Sequence, residues 1–599
     1  MDPITAAGIA LSISSLALQV FAGCVQGYQM FVQTKDMPKQ FEHLRTRLNI
    51  EEARLLNWGE NVGLVEELLD RPSQALQLNR NLILDILVQV QTAFKACLKI
   101  ETRFSEIVVS NTGKGETSKP KPKRSFLRKT LAVLENPTRI SASLHWAMIK
   151  ESEFEGLIGK LIGYNDAVWS LLDRNAVHEL HLMQQQSNLV MLQLTEKVSE
   201  LYDITAAMAI RPAGANIPSL SRSETLVEEQ QEHHSTLAAL ATFKAHHLSI
   251  ENSEPASNEL QISNLDLLQQ SDKPESSTLF AYNGRKVWVE WREPVEEDLS
   301  PTILLVMEDR VKKLAKLLSR PDKPKEFRAP RCLGYLCDID EADEPRYGFV
   351  YKVPATQEAT SSYEQRMSNL REMFITTPCP SLTQRMRLAV MIAGSLFYLH
   401  AVSWLHKGLR SKSIIFFIDA DQEQTDLSSP IVSGFDFSRP DLPEEITVRH
   451  PSNIYDDLYR HPERLKDASA STPRSQKSHD VYSLGIILLE IAFWQPIEEV
   501  MEIPMAQKSA RSSIYKIQER ILDRSSRSMV GKQSTMAKLE GQVGEVYAEV
   551  VRRCVQGGEA IGLVGNARGT ELKKNVEMEV EMQQVFFEEI LSKLQKLSV

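Results

Sequence analysis

The sequence predicts a multidomain protein, an N-terminal all-α helical bundle followed by an α+β domain. Three observations carry that prediction. Apolar residues recur at helical spacing from the N-terminus to about residue 208. Beyond about residue 271, strand-like alternation appears, as in Lys286-Val287-Trp288-Val289-Glu290-Trp291-Arg292, among further helical runs. Between the two, Arg211-Pro212 ends the helical region, because proline cannot continue a helix and biases its predecessor away from one. The expected division is a bundle over 1–208, a linker or brace over 209–270, and the α+β domain over 271–599.

A chain of 599 residues holds two or three domains and buries large cores. Hydrophobic content of 42% and charged content of 25% fit a soluble globular protein. The net charge of -10 is mild for this length, so no nucleic-acid partner is expected. The six cysteines, Cys24, Cys97, Cys332, Cys337, Cys379 and Cys554, form no C-x-x-C pair and read as reduced packing thiols. The first basic residue is Lys35, so no positively charged leader is read, and the expected resting compartment is the cytoplasm.

Residues 3–34 carry no charged side chain. Ile9, Leu11, Ile13, Leu16, Leu18 and Phe21 are the apolar members of interest there. A spanning helix needs ~20 mostly apolar residues. This run has the length, but Ser12, Ser14, Ser15, Gln19 and Gln26 dilute it, so at rest a buried bundle helix is expected. Gly23 and Gly27 form a G-x-x-x-G that permits close helix contact. Phe41, Leu44, Leu48, Leu55 and Trp58 then fall at helical spacing, and Leu82, Ile86, Val90, Phe94 and Leu98 keep step over a helix of 76–109. Residues 110–125 read as a solvated loop with Lys114, Lys119, Lys121, Lys123 and Arg124, whose functional alternative is contact with anionic lipid. Residues 140–172 and 176–208 read as two long helices, the second striped by Leu180, Met183, Val190, Leu194, Val198 and Leu201. In the connector, Ser221 and Glu224 form a capping box ahead of a helix over 226–247. The pairs His233-His234 and His246-His247 point to different helix faces and lack cysteine or acidic partners, so they read as exposed linker and no metal site is expected.

The uncharged opening, Phe41-Glu42-His43-Leu44-Arg45-Thr46-Arg47-Leu48 and Arg54-Leu55-Leu56-Asn57-Trp58-Gly59 are similar to the fungal HeLo domain, the prion-inhibition and propagation bundle of heterokaryon-incompatibility proteins. The resemblance covers residues 1–208 and implies a membrane-targeting cell-death effector with a buried N-terminal helix.

The octet His406-Lys407-Gly408-Leu409-Arg410-Ser411-Lys412-Ser413 lies between an apolar helical run, 388–399, and a strand-like run, 414–418. It resembles a protein-kinase catalytic loop, H-R-D-L-x-x-x-x-N. The resemblance extends to Ile431-Val432-Ser433-Gly434-Phe435-Asp436-Phe437, to Tyr459-Arg460-His461-Pro462-Glu463, and to the helix opening His479-Asp480-Val481-Tyr482. It implies a bilobal kinase-like domain with His406, Glu463 and Asp480 as structural landmarks. It also implies lost chemistry. Gly408 stands where the catalytic base would be, Ser413 and Gly434 where metal ligands would be, and Glu290 where the phosphate-binding lysine would be. Asp436 is the one residual candidate for a metal or nucleotide contact, and residues 264–281 contain no glycine to cradle phosphates. Residues 311–318 are expected as the regulatory helix, 347–353 as the hinge strand, and 539–554 and 575–599 as further large-lobe helices.

Together these resemblances imply an architecture similar to the mixed-lineage kinase domain-like pseudokinases. The expected function is a regulated cell-death effector, with no catalytic residue and no cofactor, and with weak ATP binding left open. Its expected partners are anionic lipids of the plasma membrane and further copies of itself on activation, and an upstream sensor protein. The alternatives are an atypical ATP-dependent kinase and a soluble signalling scaffold.

Overall fold

The computed structural model describes residues 3–32, 37–64, 74–98, 149–172, 174–210, 224–252, 258–263, 268–269, 279–292, 301–339, 345–354, 365–419, 426–435, 438–440, 453–465, 475–506, 510–523, 534–557 and 581–597. They form two compact units, Met1–Ala245 and His246–Val599.

Among its described residues the first unit contains helices and no strand. Its helices are α1 (Pro3–Val32), α2 (Glu42–Asn61), α3 (Gln74–Leu98), α4 (Glu151–Trp169), α5 (Arg174–Leu194), α6 (Val198–Ala209) and α7 (Glu224–Glu251), whose last turns count with the second unit. The expected stripe of α2 is inside: Leu44, Leu48, Leu55 and Trp58 are buried. The second half of α1 supplies Phe21, Cys24, Tyr28 and Phe31 to the same core. Phe31 stacks on Phe154 with centroids 5.4 Å apart, and Tyr28 meets Phe94 edge-on at 4.9 Å. The G-x-x-x-G explains how α1 and α3 come so close. A Cβ on Gly27 would lie 2.5 Å from the Phe94 ring, so only glycine admits that ring.

This core is not wholly apolar. Glu51 is fully buried, and Arg47 Nη2 reaches its Oε1 at 2.9 Å while Arg54 Nη1 reaches its Oε2 at 3.0 Å. Arg54 Nη2 also binds Asp166 at 2.7 Å, and Asn165 donates to Glu51 Oε2 at 2.8 Å. Burial alone would raise the Glu51 carboxyl, but Arg54 and then Arg47 outweigh it and hold it below its usual range.

Two expectations change. The helix expected over 176–208 is broken at Thr195–Lys197 into α5 and α6. The buried Lys244 Nζ donates to the Leu192 and Gln193 carbonyls, both at 2.9 Å, and takes acceptors that a continuing helix would offer its own amides. The helix expected over 226–247 is present as α7, 28 residues long, but it is not an exposed linker, since His247 on it is only 2% exposed. The unit boundary also falls inside that stretch, after Ala245. The side chains of Ser221 and Glu224, and the whole basic run 110–125, lie outside the described residues.

The second unit combines helices with small antiparallel sheets. Strands β1 (Leu268–Gln269), β2 (Leu279–Tyr282), β3 (Arg285–Trp291), β4 (Arg331–Ile339) and β5 (Pro345–Lys352) pair in the order β1-β2-β3-β5-β4. Helix α8 (Pro301–Leu318) joins β3 to β4 and starts ten residues before the expected stretch. Then come β6 (Gln365–Asn369), α9 (Leu370–Thr376), α10 (Leu382–Ala401), β7 (Trp404–Leu405) and β8 (Ile414–Asp419). Asn369 with Glu372 and Ser381 with Gln384 form capping boxes that start α9 and α10. Strands β9 (Ile431–Val432) and β10 (Arg439–Pro440) pair with β8 and β7 respectively. The apolar helix α11 (Lys477–Phe493) is buried through most of its length and packs on α10 and on the later helices α12 (Thr535–Val543) and α13 (Glu545–Gln556).

The bundle's charged core gives a first prediction. Glu51→Ala leaves Arg47 buried without its carboxylate and removes one of the two that Arg54 binds, which costs about 3–5 kcal/mol. Denaturant unfolding followed by circular dichroism should show the helical unit losing that stability.

Candidate functional site

The loop between β7 and β8 is built on one carboxylate. Asp480, in the first turn of α11, is 3% exposed. The His406 amide donates to its Oδ2 at 2.8 Å and the Lys407 amide to its Oδ1 at 2.8 Å. His400, at the end of α10, sets its Nε2 3.3 Å from Oδ2. Burial alone would raise the Asp480 carboxyl. The His400 hydrogen bond and charge, then His406 and the Lys407 amide, hold it below its usual range.

His406 carries the contact onward. Its Nε2 donates to the Ser433 carbonyl at 3.0 Å, and its Nδ1 accepts the Gly408 amide at 3.3 Å, which fixes the tautomer. Burial lowers its pKa to about 4, so the ring is neutral near pH 7. Phe435 packs 4.8 Å from the His406 ring. Gly434 has φ +81°, and a Cβ there would lie 2.9 Å from Ser413 Cβ and 3.5 Å from the Gly408 carbonyl oxygen. Ser413 is spent on the loop: its Oγ donates to the Arg410 carbonyl at 2.7 Å and accepts the Arg410 amide at 3.0 Å. Ser433 Oγ donates to Glu290 Oε1, on β3, at 3.2 Å.

Glu290, His406, Gly408, Ser413, Gly434 and Asp480 thus converge, joined by the bonds and close approaches just described. The set joins two carboxylates, one imidazole, two glycines and one hydroxyl. Among the described residues, the carboxylate bonded to Ser433 is that of Glu290. Asp436 lies outside the described residues. Arg410 is ion-paired with Asp456, and Ser411 Oγ lies 2.6 Å from Tyr459 Oη. Tyr459 Oη in turn donates to Glu490 Oε1 at 2.7 Å, and the Ile497 amide donates to the same oxygen at 2.9 Å. Burial lifts Glu490 to about 8.

Glu463 is not part of this convergence. Its side chain is 56% exposed, with Oε2 3.6 Å from His479 Nε2 and 3.8 Å from His461 Nδ1. These three residues bring potential ligand atoms within 4.8 Å of one another. The local backbone opposes a metal there. His479 Nδ1 accepts the Gln476 amide at 3.2 Å, so the neutral ring carries its proton on Nε2, the atom facing Glu463. A histidine ligating through Nε2 needs a lone pair there and a donor at Nδ1.

Of the apolar residues singled out in the uncharged opening, Phe21 is buried and Leu18 is half-buried against the bundle core. The side chains of Ile9, Leu11, Ile13 and Leu16, all on α1, lie outside the described residues.

Sequence reading missed His400, Ser433, Tyr459 and Glu490. Ser433 and Tyr459 stand inside stretches quoted above, but the bonds through which these four act are long-range and leave no local spacing to read. It also missed Trp288, 2% exposed, whose ring packs 5.2 Å from Tyr351 and 5.1 Å from Phe417.

Two family models match. One described as prion-inhibition and propagation, HeLo, covers residues 8–204. The other, described as a domain of unknown function, DUF7580, covers residues 265–598, more than half of the chain. No curated protein matches the chain.

Two predictions concern the loop. Asp480→Ala strands the His406 and Lys407 amides, at about 1–3 kcal/mol for each unpaired group, and should lower the melting temperature of the C-terminal domain. Glu490 gives a pH dependence. Its folded pKa of about 8 exceeds the unfolded value near 4.5, so the folded state keeps a proton that the unfolded chain releases. The stability from this group is complete below pH ~4.5 and lost as pH rises to ~8. Glu490→Gln, which keeps the accepting Oε1, should remove that decline from the wild-type pH profile of unfolding.

Proposed function

The chain belongs to the family described as a domain of unknown function, DUF7580, and from that premise we propose that this domain is a catalytically empty, protein-kinase-like regulator of a HeLo-type effector of cell death or incompatibility. The observation that carries the reading is the convergence around His406. Phosphoryl transfer rests on a positioned base, on metal ions and on cationic compensation of phosphate charge. The corresponding places hold Gly408, Ser413, Gly434 and the Glu290 carboxylate, while Asp480 and His406 hold the loop's shape. The strand order β1-β2-β3-β5-β4, with α8 joining β3 to β4, supports a small lobe of kinase type. Trp288 of β3 packs on Tyr351 of β5 and on Phe417 of β8, which ties the sheet to the stretch after the loop.

The match to prion-inhibition and propagation supports the effector half. Among the described residues no helix is long and apolar enough to cross a membrane, and the second half of α1 lies in the bundle core. In this reading α1 leaves the core on activation by an upstream sensor protein. Copies of the chain then gather on the anionic plasma membrane and permeabilise it. The competing reading, an atypical ATP-dependent kinase, has Asp436 as its one remaining metal ligand. Metal-dependent phosphate transfer that disappears in Asp436→Ala would favour it.

Expression in fungal cells tests the effector reading. Ile13→Lys places a charge inside the uncharged run, where insertion costs about 2.5–3.5 kcal/mol. The variant, shown to be folded by circular dichroism, should lose the toxicity of the activated wild type. A folded variant with full toxicity contradicts insertion of α1.

A further inference from the structure

The outer edge of the five-stranded sheet is covered by the chain's own connector. β4 is the last strand in the order β1-β2-β3-β5-β4, so one row of its backbone groups has no strand of that sheet beside it. The segment 258–263 lies against it. Gln261 bridges Tyr335 in parallel, and the Ile262 amide donates to the Tyr335 carbonyl at 2.8 Å. Tyr335 Oη donates to Asn258 Oδ1 at 3.4 Å. Ile262 is 6% exposed and belongs to a small apolar core with Val287, Leu336 and Val350. Asn258, Glu259, Gln261 and Ser263 are exposed and Leu260 is half-exposed, so Ile262 is the one buried anchor of the segment.

The edge is shaped for this guest. The β4–β5 register shifts between Cys332 and Gly334. A Cβ on Gly334 would lie 2.3 Å from the Leu260 carbonyl oxygen and 2.8 Å from Ile262 Cδ1, closer than real Cβ atoms come.

We infer that the β4 edge and the Ile262 slot form a strand-accepting site, filled at rest by residues 258–263 of the same chain and open, when that segment lifts, to the same segment of a second copy. The occupant follows from fit. This segment already matches the register, the slot and the glycine, and every copy carries it. Exchange between copies recreates the same bonds, which makes it a low-cost route to association. A segment held by one buried side chain opens far more readily than the sheet unfolds. An uncovered strand edge pairs with an extended peptide through its backbone, and the pocket selects the side chain. The inference stands whether or not the C-terminal domain is catalytic.

The full chain carrying Ile262→Asp and a fluorescent peptide of residues 256–264 test it. A carboxylate does not enter the apolar slot, so the chain's own segment leaves and the groove stays. The peptide should bind Ile262→Asp at one per chain by anisotropy. It should bind wild type at least about tenfold more weakly, because the resident segment competes. It should not bind Ile262→Asp/Gly334→Val. Absence of binding to folded Ile262→Asp, or equal binding to wild type, overturns the inference. If Ile262→Asp does not fold, hydrogen exchange on wild type decides. The Ile262 amide should exchange faster than the paired amides of β3 and β5, and exchange only with global unfolding of the sheet overturns the inference.

Discussion

The C-terminal domain depends on one buried charge, the Asp480 carboxylate. It lies deep in the protein, yet backbone amides and His400 surround it, so its charged form is favoured despite burial. Two of those amides belong to consecutive residues, His406 and Lys407, and Lys407 is held at φ +63°. The carboxylate therefore dictates the path of the loop. His406 passes the constraint to Ser433, and Ser433 to Glu290, so three separate stretches of chain are fixed from one point. Nothing in this chain of bonds requires a side chain at residue 408. That is the physical reason glycine is compatible with this loop: the bonds that shape it involve no side chain at that position.

The bundle is organised by a comparable interaction. Glu51 ties Arg47 and Arg54 of its own helix to Asn165 on α4, and Arg54 reaches Asp166 beside it. The guanidinium of Arg54 also lies 4.7 Å from the centre of the Trp169 ring. A paired set of buried charges contributes little net stability and penalises any rearrangement that separates its members. A bundle that holds the weakly apolar α1 against aromatic residues gains definition from such a set, because apolar contacts alone tolerate sliding.

Much of this was legible in the sequence, and the limit has a physical cause. The helices with strong apolar spacing, α2 and α3, were readable because one face of each is buried. His406 and Asp480 were readable because the residues around each form a local pattern. The Glu290–Ser433 bond was not, since it joins residues far apart in the chain with no spacing of their own. The break between α5 and α6 depends on Lys244, about fifty residues downstream, so propensity alone reads one helix. Glu463 was read as a landmark from its neighbours in sequence, and its nearness to His461 and His479 could not be read there because His479 lies well downstream. The pairing of Gln261 with Tyr335 is a single parallel bridge and leaves no alternation to detect.

Dye release from anionic vesicles tests the central claim, a membrane-active bundle restrained by a non-catalytic domain. Purified full chain is compared with residues 1–245, the first compact unit. The account predicts release by the fragment and little release by the untriggered full chain. A folded fragment that binds the vesicles and releases nothing, or a full chain as active as the fragment, would contradict it.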